Sequence, residues 1–510
     1  MFVRKKKNKS GSISVQVIVK VNGRYGVAHT VGAAKDPDLL ARLVREGEIW
    51  IHTHGGQQQK LFSVKTTDDL AIETFLSTLE NAQIRTIGPE RIFGTLFDRM
   101  GFGEALPNDL FRHLVIARLA YPGSKLKTVD YLKRYRGITV GVDTIYRFLD
   151  TLQEKYKDTV ERVAFAHTKA RLGTPTVAFY DMTTLYFEAE DEDDLRKIGF
   201  SKDGKFQCPQ IMIGLLLAAD GAPIGYDLFE GNTWEGHTLI PILEKFSTRY
   251  GLGKPVVVAD AGLLSNDNCA ALIKAGYTFI LGGRIKNEPE KVTKLILSDH
   301  ELLKNSVPRT YTRTDDTILV VSWSEKRAKK DAHNRERGLR RLESAIARGK
   351  LTKASLNKRG YNKFLALDGE VTVTLDKEKV VADERWDGLK GYVTNATLPP
   401  ETVIERYGDL WRIERAFRIS KTDLQIRPIF HRLRKRIEAH LTIAFVAYAI
   451  ANECERLARE QQAPMSARRA AELTHTMYAL EYILPNALER ERVILKMDEE
   501  QQLLHNVIHK

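Results

Sequence analysis

Cysteine is nearly absent: three in 510 residues, Cys208, Cys269 and Cys454. They stand far apart with no CxxC spacing, which excludes a disulfide framework or a thiolate zinc site and fits a reducing cytoplasm. Long apolar runs are also missing. The longest, Leu441 to Ala451, is too short to span a bilayer and reads as a buried core helix, so no membrane partner is expected. The N-terminus lacks the apolar stretch of a secretory signal, opening instead on Arg4, Lys5, Lys6, Lys7 and Lys9 followed by Ser and Gly. Neither a P-loop nor a GxGxxG fingerprint occurs, so no nucleotide cofactor is expected. There is no internal repeat. His52 and His54, in WIHTHGG, have no clustered Cys or His around them and make a weak metal signal.

What is present is positive charge. The net charge is +13 and the pI about 9.3, a balance that points to a polyanionic partner such as nucleic acid. Between Lys326 and Gly360 thirteen Lys and Arg face only three acids. That imbalance exceeds what pairing along a helix neutralises, so Lys329, Lys330, Arg340 and Arg341 are candidates for a phosphate-facing surface. A hydrophobic fraction of 43% is that of a folded protein, and the length exceeds one ordinary core.

Along the chain, Ser12 to Val31 carries the hairpin signal Asn22-Gly23 between two strands. From Glu104 to about Ala170 the periodicity turns helical. Lys125 to Arg136 and Val142 to Leu149, joined through Gly137 and Gly141, read as two short helices compatible with a helix-turn-helix. That places Arg134 near phosphates and Arg147 near a groove, although short-connector helix pairs are common. Thr174 to Thr184, TPTVAFYDMTT, is an apolar run ending on Asp181, and Pro255 to Asp260, PVVVAD, repeats the pattern. Between them IMIGLLLAA and PIGYDLF read as an antiparallel pair turning at Asp220-Gly221. Two strands that end in acids can bring carboxylates to one sheet edge, but each Asp singly is equally a strand-end or helix-cap residue. Thr310 to Ser324 and Glu370 to Val381 read as strands, and the tail from Ser466 as helices.

Tyr407 to Lys421, YGDLWRIERAFRISK, predicts one helix with Tyr407, Leu410, Glu414, Phe417 and Lys421 along one face and Glu414 turned inward. Alone it is an ordinary amphipathic helix. Set beside Asp181 and Asp260, Glu414 completes an all-oxygen donor set of the kind Mg2+ or Mn2+ takes, and two such ions suit in-line phosphoryl transfer. Arg415, Arg418, Lys421 and Arg427 would meet the phosphodiester backbone.

These residues resemble the ribonuclease-H-like DDE transposases of bacterial insertion sequences, in the branch with a Tyr-Arg-Glu-Lys signature. The resemblance runs through FYDMTT, LFEGN, VVVADAG, GYVTN and the Glu414 helix, with FVRKKKNKSGS at the N-terminus similar to one subgroup. Tyr407, Glu414 and Lys421 match the signature; the Arg position is Leu410, for which Arg418 is the better substitute and Arg412 the poorer. The resemblance implies that Asp181, Asp260 and Glu414 are the catalytic, metal-binding triad, with Tyr407 among the DNA contacts. It implies an α/β fold: a mixed sheet flanked by helices, interrupted by a largely β insertion, with an N-terminal β and helical DNA-binding region and a helical C-terminus. On that basis residues 1–103 are an N-terminal module, 104–170 a helical region, 171–285 with 388–452 the catalytic domain, 286–387 the basic insertion and 453–510 a C-terminal region. Trp323 is a candidate to stack on a flipped base.

The expected activity is that of a DNA transposase: metal-dependent cleavage at transposon ends and 3′-hydroxyl strand transfer into target DNA, with a hairpin intermediate among the routes the resemblance allows. Its partners are transposon-end and target DNA. A homodimer in the DNA complex and a bacterial cytoplasmic, nucleoid-associated location follow from the same resemblance. The alternatives are a metal nuclease of this fold without strand transfer and a non-catalytic DNA-binding repressor.

Overall fold

The computed structural model describes residues 1–21, 23–54, 67–189, 191–305, 307–313, 316–351, 357, 360–368, 372–484 and 489–510. Asn22, the two glycines after His54, Lys353, Lys358, Arg359 and Glu370 lie outside the described residues. The chain forms two compact units, Met1–Leu79 and Glu80–Lys510. In the first, β1 (Phe2–Lys7), β2 (Ile13–Val21) and β3 (Arg24–Ala34) make an antiparallel sheet in sequence order, with a helix at Pro37–His54. The expected hairpin is the β2–β3 pair. Alternation along β2 buries Val15 and Val17. His54 stacks on Trp50 at 4.5 Å, and Trp50 on His29 at 4.9 Å.

The second unit is built on an eight-stranded mixed sheet. After a short β4 (Ile84–Thr86), its strands are β5 (Val177–Tyr186), β6 (Gln210–Ala218), β7 (Pro223–Glu230), β8 (Val256–Ala259), β9 (Phe279–Gly283), β10 (Arg309–Thr312) and β11 (Ile318–Trp323). A separate hairpin, β12 (Leu365–Asp368) and β13 (Thr372–Leu375), intervenes before the last sheet member, β14 (Leu389–Thr394). The spatial order is β10-β11-β14-β9-β8-β5-β6-β7. Within it, β7-β6-β5-β8-β9 has three antiparallel strands followed by two parallel ones, the ribonuclease-H-like arrangement. β6 is buried along its whole length because helices cover both faces, so QIMIGLLLA reads as a continuous apolar run rather than an alternation.

Two long helices pack on this sheet and on each other, Val142–Leu172 and Arg434–Glu460. The first opens after Gly141 and stops at Gly173, whose φ of +73° suits glycine. The predicted short second helix of a helix-turn-helix is therefore the first two turns of a 31-residue helix. Its buried positions, Ile145, Phe148, Leu149 and Leu152, continue into Val160 and Ala164, so one apolar stripe carries the helix past Leu149. Leu441 to Ala451 is fully buried, as its composition predicts.

Three further expectations are revised. Among the described residues of Glu370–Val381 the strand is β13; Asp376 then caps a helix at Lys377–Glu384 through a bond from the Lys379 N–H. The basic run folds into a 23-residue helix, Glu325–Ala347, while β10 and β11 join the main sheet through β14. The tail is not all helix: β15 (Tyr478–Ile483) and β16 (Arg490–Ile494) pair, and β15 also pairs with β4. Tertiary pairing partners from the far end of the chain decide this, which local periodicity does not carry.

Candidate active site

Parallel pairing of β5 with β8 in the register Tyr180–Ala259 places the next residues, Asp181 and Asp260, side by side on adjacent strands. Neighbouring strands lie about 5 Å apart, so the two carboxylates repel across a short gap. Asp181 is not at the strand end, since β5 continues to Tyr186. Its Oδ1 accepts from the Met182 N–H at 2.7 Å. Burial pushes its pKa up to about 7, with Asp260 and Glu235 adding to the rise and Lys202 opposing it. Asp260 Oδ1 accepts from the Gly262 N–H at 2.8 Å.

Two residues that sequence reasoning missed complete this acidic pole. Glu235, on the turn after β7, and Asp260 flank Gly262: a Cβ there would stand 2.8 Å from Glu235 Oε2 and 2.9 Å from Asp260 Oδ1, so a side chain at this position would push the two carboxylates aside. Lys202 enters the same space, with Nζ 2.7 Å from Glu235 Oε1 and 3.7 Å from Asp181 Oδ1, and donates to Met182 O at 2.6 Å. It comes from the turn Ser201–Gly204, where the Ser201 hydroxyl accepts from the Asp203 and Lys205 N–H groups and Gly204 takes a φ of +74°.

The next residue of that turn points to the opposite charge. Asp203 accepts from Lys421 Nζ at 3.2 Å and pairs with Arg427 at 2.5 Å. Both cations were predicted to meet phosphate.

Glu414 stands apart from this cluster. The single helix expected over Tyr407–Lys421 is broken: Pro400–Gly408 ends, tight bonds run from Leu410 N–H to Tyr407 O and from Ile413 N–H to Leu410 O, and a new helix occupies Trp411–Arg418. A π-turn follows at Ile419–Asp423. The break shifts the helical phase, so Tyr407, Leu410 and Phe417 are buried but Glu414 is exposed rather than inward. Glu414 still lies in the electrostatic field of Tyr407 and Lys390, and Tyr407 also feels Asp260. Burial raises the Tyr407 phenol, with Asp260 and Glu414 adding to the effect. Lys390, on β14, places its ammonium 4.3 Å from the centre of the Tyr407 ring. Lys390 is thus a cation beside Tyr407 and Glu414, and the charge of Arg327 also reaches Tyr407 and Lys390; Arg418 is exposed and Leu410 buried.

The remaining candidates scatter. Arg415 pairs with Glu455. Arg134 pairs with Asp130 at 2.6 Å, and Arg147 donates to Thr144 at 3.3 Å. Lys329 and Arg340 bond back to Glu325 and Glu336 along their helix, while Lys330 and Arg341 are exposed. The Trp323 indole donates to Asp387 O at 3.0 Å and packs against Gly388.

Among the described residues no three Asp, Glu, His or Cys side chains stand together as a metal cage. The donor chemistry nonetheless fits a hard divalent ion at Asp181 and Asp260: oxygen ligands only, mutual repulsion, and a lysine already drawn into the gap. Among the described residues no helix is long and apolar enough to cross a membrane.

Comparison with known proteins gives the family of the chain. A family model described as a transposase DDE domain matches residues 173–450, spanning β5 to β14, the Glu414 helix and most of the buried helix after it. No curated protein matches the sequence. Among solved structures, the piggyBac transposase synaptic complex with hairpin DNA is similar at a TM-score of 0.37 and 10% identity, covering 80% of this chain and 78% of that one. The Mos1 transposase paired-end complex with left transposon end is similar at a TM-score of 0.16 and 10% identity, covering 46% of this chain and 66% of that one.

Proposed function

Because the chain belongs to the transposase DDE domain family, we propose that it cleaves DNA at the ends of an insertion sequence and joins the freed 3′ hydroxyl to target DNA. The observation that carries this reading is the pairing of Asp181 and Asp260 on adjacent parallel strands, with cations of the same domain close by. Asp181, Asp260 and Glu414 would hold Mg2+ or Mn2+, two ions in the active complex. When bound, such ions lower the pKa of water and offset charge on the phosphoryl oxygens. Glu414, exposed beside Tyr407, joins the two aspartates when DNA is engaged.

The chain's own residues supply the rest. Lys202 neutralises Asp181 and Glu235 before DNA binds, and Lys421 and Arg427 bind the phosphodiester backbone. Lys390 takes the place that the signature assigns to the arginine replaced by Leu410, because it is the cation on the Tyr407 ring. The exposed cations Lys330 and Arg341 belong to a basic helix that contacts duplex flanks. A homodimer on paired ends is part of this reading.

The test uses purified protein, Mg2+ and DNA carrying the element's terminal sequences. Specific nicking is expected, with Glu414→Gln retaining DNA binding and losing roughly a hundredfold or more in cleavage rate. If E414Q cuts as well as the parent, the third-ligand assignment is wrong. Joining of the cut 3′ end to a second DNA separates a transposase from a nuclease of the same fold, and binding without cleavage identifies a repressor.

A further inference from the structure

A second concentration of charge lies outside the carboxylate site and has the opposite character. It is a cavity of about 390 Å³ between the turn before the helix Lys125–Tyr131, the segment Gln425–His431, and His440 of the long buried helix. Arg118, Lys125, Arg427, His431 and His440 all line it, and among the described residues no carboxylate does. Arg118 and Lys125 are 5% and 6% exposed.

Burial of an ion without an opposite charge costs several kcal/mol after relaxation. Arg118 recovers little of this from two long contacts, to Leu424 O at 3.3 Å and Gln425 O at 3.4 Å. Among the described residues the Lys125 ammonium meets neither a carboxylate nor a hydrogen-bond acceptor. Burial lowers both groups, Arg118 to about 10 and Lys125 well below its usual value, and the Arg118 charge adds to the lowering of Lys125. The same burial holds His431 near 4 and His440 far below its usual value, so both imidazoles are neutral at pH 7. His440 Nε2 faces Ile426 O at 3.1 Å, while its buried Nδ1 has no partner. With Nε2–H donating to that carbonyl, Nδ1 is an acceptor, so an anion in the cavity is met by the cations and not by His440.

We propose that this cavity is a phosphate-binding site, with Arg118 and Lys125 at its floor as the charge that receives the anion and Arg427 at its side. The mouth is open, since Ser124, Lys127 and Phe430 are exposed. Arg427 also pairs with Asp203, whose chain neighbour Lys202 lies at the carboxylates, so one short turn links a residue of the cavity wall to the candidate active site. That link names the backbone of the DNA bound there as the source of the phosphate. This part rests on the transposase reading; the capacity to bind a phosphate does not.

The test uses the full chain and inorganic phosphate as probe. Calorimetric titration of the unaltered protein should show binding that chloride at equal ionic strength does not compete away, and phosphate should raise its Tm. Lys125→Met, which keeps the length and removes the charge, should fold with an equal or higher Tm in the absence of phosphate and lose the phosphate-induced rise. Its affinity for DNA should fall about three- to tenfold, with the salt dependence shallower by about one unit. No heat with the unaltered protein, or an undiminished Tm rise in K125M, overturns the site. Loss of phosphate protection with unchanged DNA affinity overturns DNA as the source. If the unaltered protein binds phosphate but no DNA at all, the transposase reading fails and the phosphate site stands.

Discussion

The acidic pole at Asp181 and the basic cavity at Arg118 differ in one respect that decides their behaviour. The acidic pole carries its own counter-charge: Lys202 reaches in from a four-residue turn and lies against Glu235 and Asp181. At the floor of the basic cavity Arg118 and Lys125 have no such partner among the described residues, and burial lowers both instead. A site with a built-in counterion is stable while empty and must release that ion to work. One without a counterion gains stability only when a ligand arrives.

The comparison is broken most severely at Asp181. Asp181→Asn removes a proposed ligand, and cleavage should fall by roughly a hundredfold or more. The same change should stabilise the fold at neutral pH. The Asp181 carboxyl is raised from 3.8 to about 7 by burial, so the folded state holds a proton that the unfolded state has lost between those values. Stability is therefore lost as pH rises through that window, by an amount on the order of a few kcal/mol. Thermal unfolding should show D181N more stable than the parent at pH 8, with the gap closing toward pH 4. A constant gap would mean that Asp181 does not titrate in that range.

Next in size is Lys202→Met. Without the ammonium, Asp181, Asp260 and Glu235 face one another unshielded, and stability should drop by about 1–3 kcal/mol. The rise in Tm produced by Mn2+ should be larger in K202M than in the parent, because the ion no longer displaces a resident charge. An equal rise in both would show that Lys202 and the metal do not share the space.

How much of this was legible beforehand follows from where each residue sits. Asp181 and Asp260 are attached to apolar runs whose length marks them as strands, and β6 and β7 flank the turn Asp220-Gly221, so the sheet and two of its acids were readable. The register that sets the acids side by side was not, because it depends on pairing between residues seventy-nine apart in the chain, Ala178 with Val257 and onward. Glu235, Lys202 and Asp203 lie on turns, where no periodicity assigns a direction. The exposure of Glu414 escaped notice because a heptad count assumes an unbroken helix, and the turn at Asp409 and Leu410 resets the phase. Lys390 sits in GYVTN's approach, a strand whose neighbour Tyr407 is known only from the fold.

The smallest and sharpest test concerns the turn that joins the two poles. Asp203 holds Lys421 and Arg427 with a carboxylate about where those cations would otherwise meet a phosphate. Its side chain is 15% exposed, so the attraction is only partly screened by solvent. Binding DNA through these two residues then requires their release from Asp203, and that release is subtracted from the affinity. Asp203→Asn keeps the size and removes the charge. DNA should bind about three- to tenfold tighter, and the salt dependence should steepen as both cations become available to phosphate. The double variant D203N with Lys421→Gln should return toward the parent. If D203N binds more weakly instead, Asp203 orients Lys421 and Arg427 for DNA rather than competing with it, and the turn positions the cations instead of occupying them.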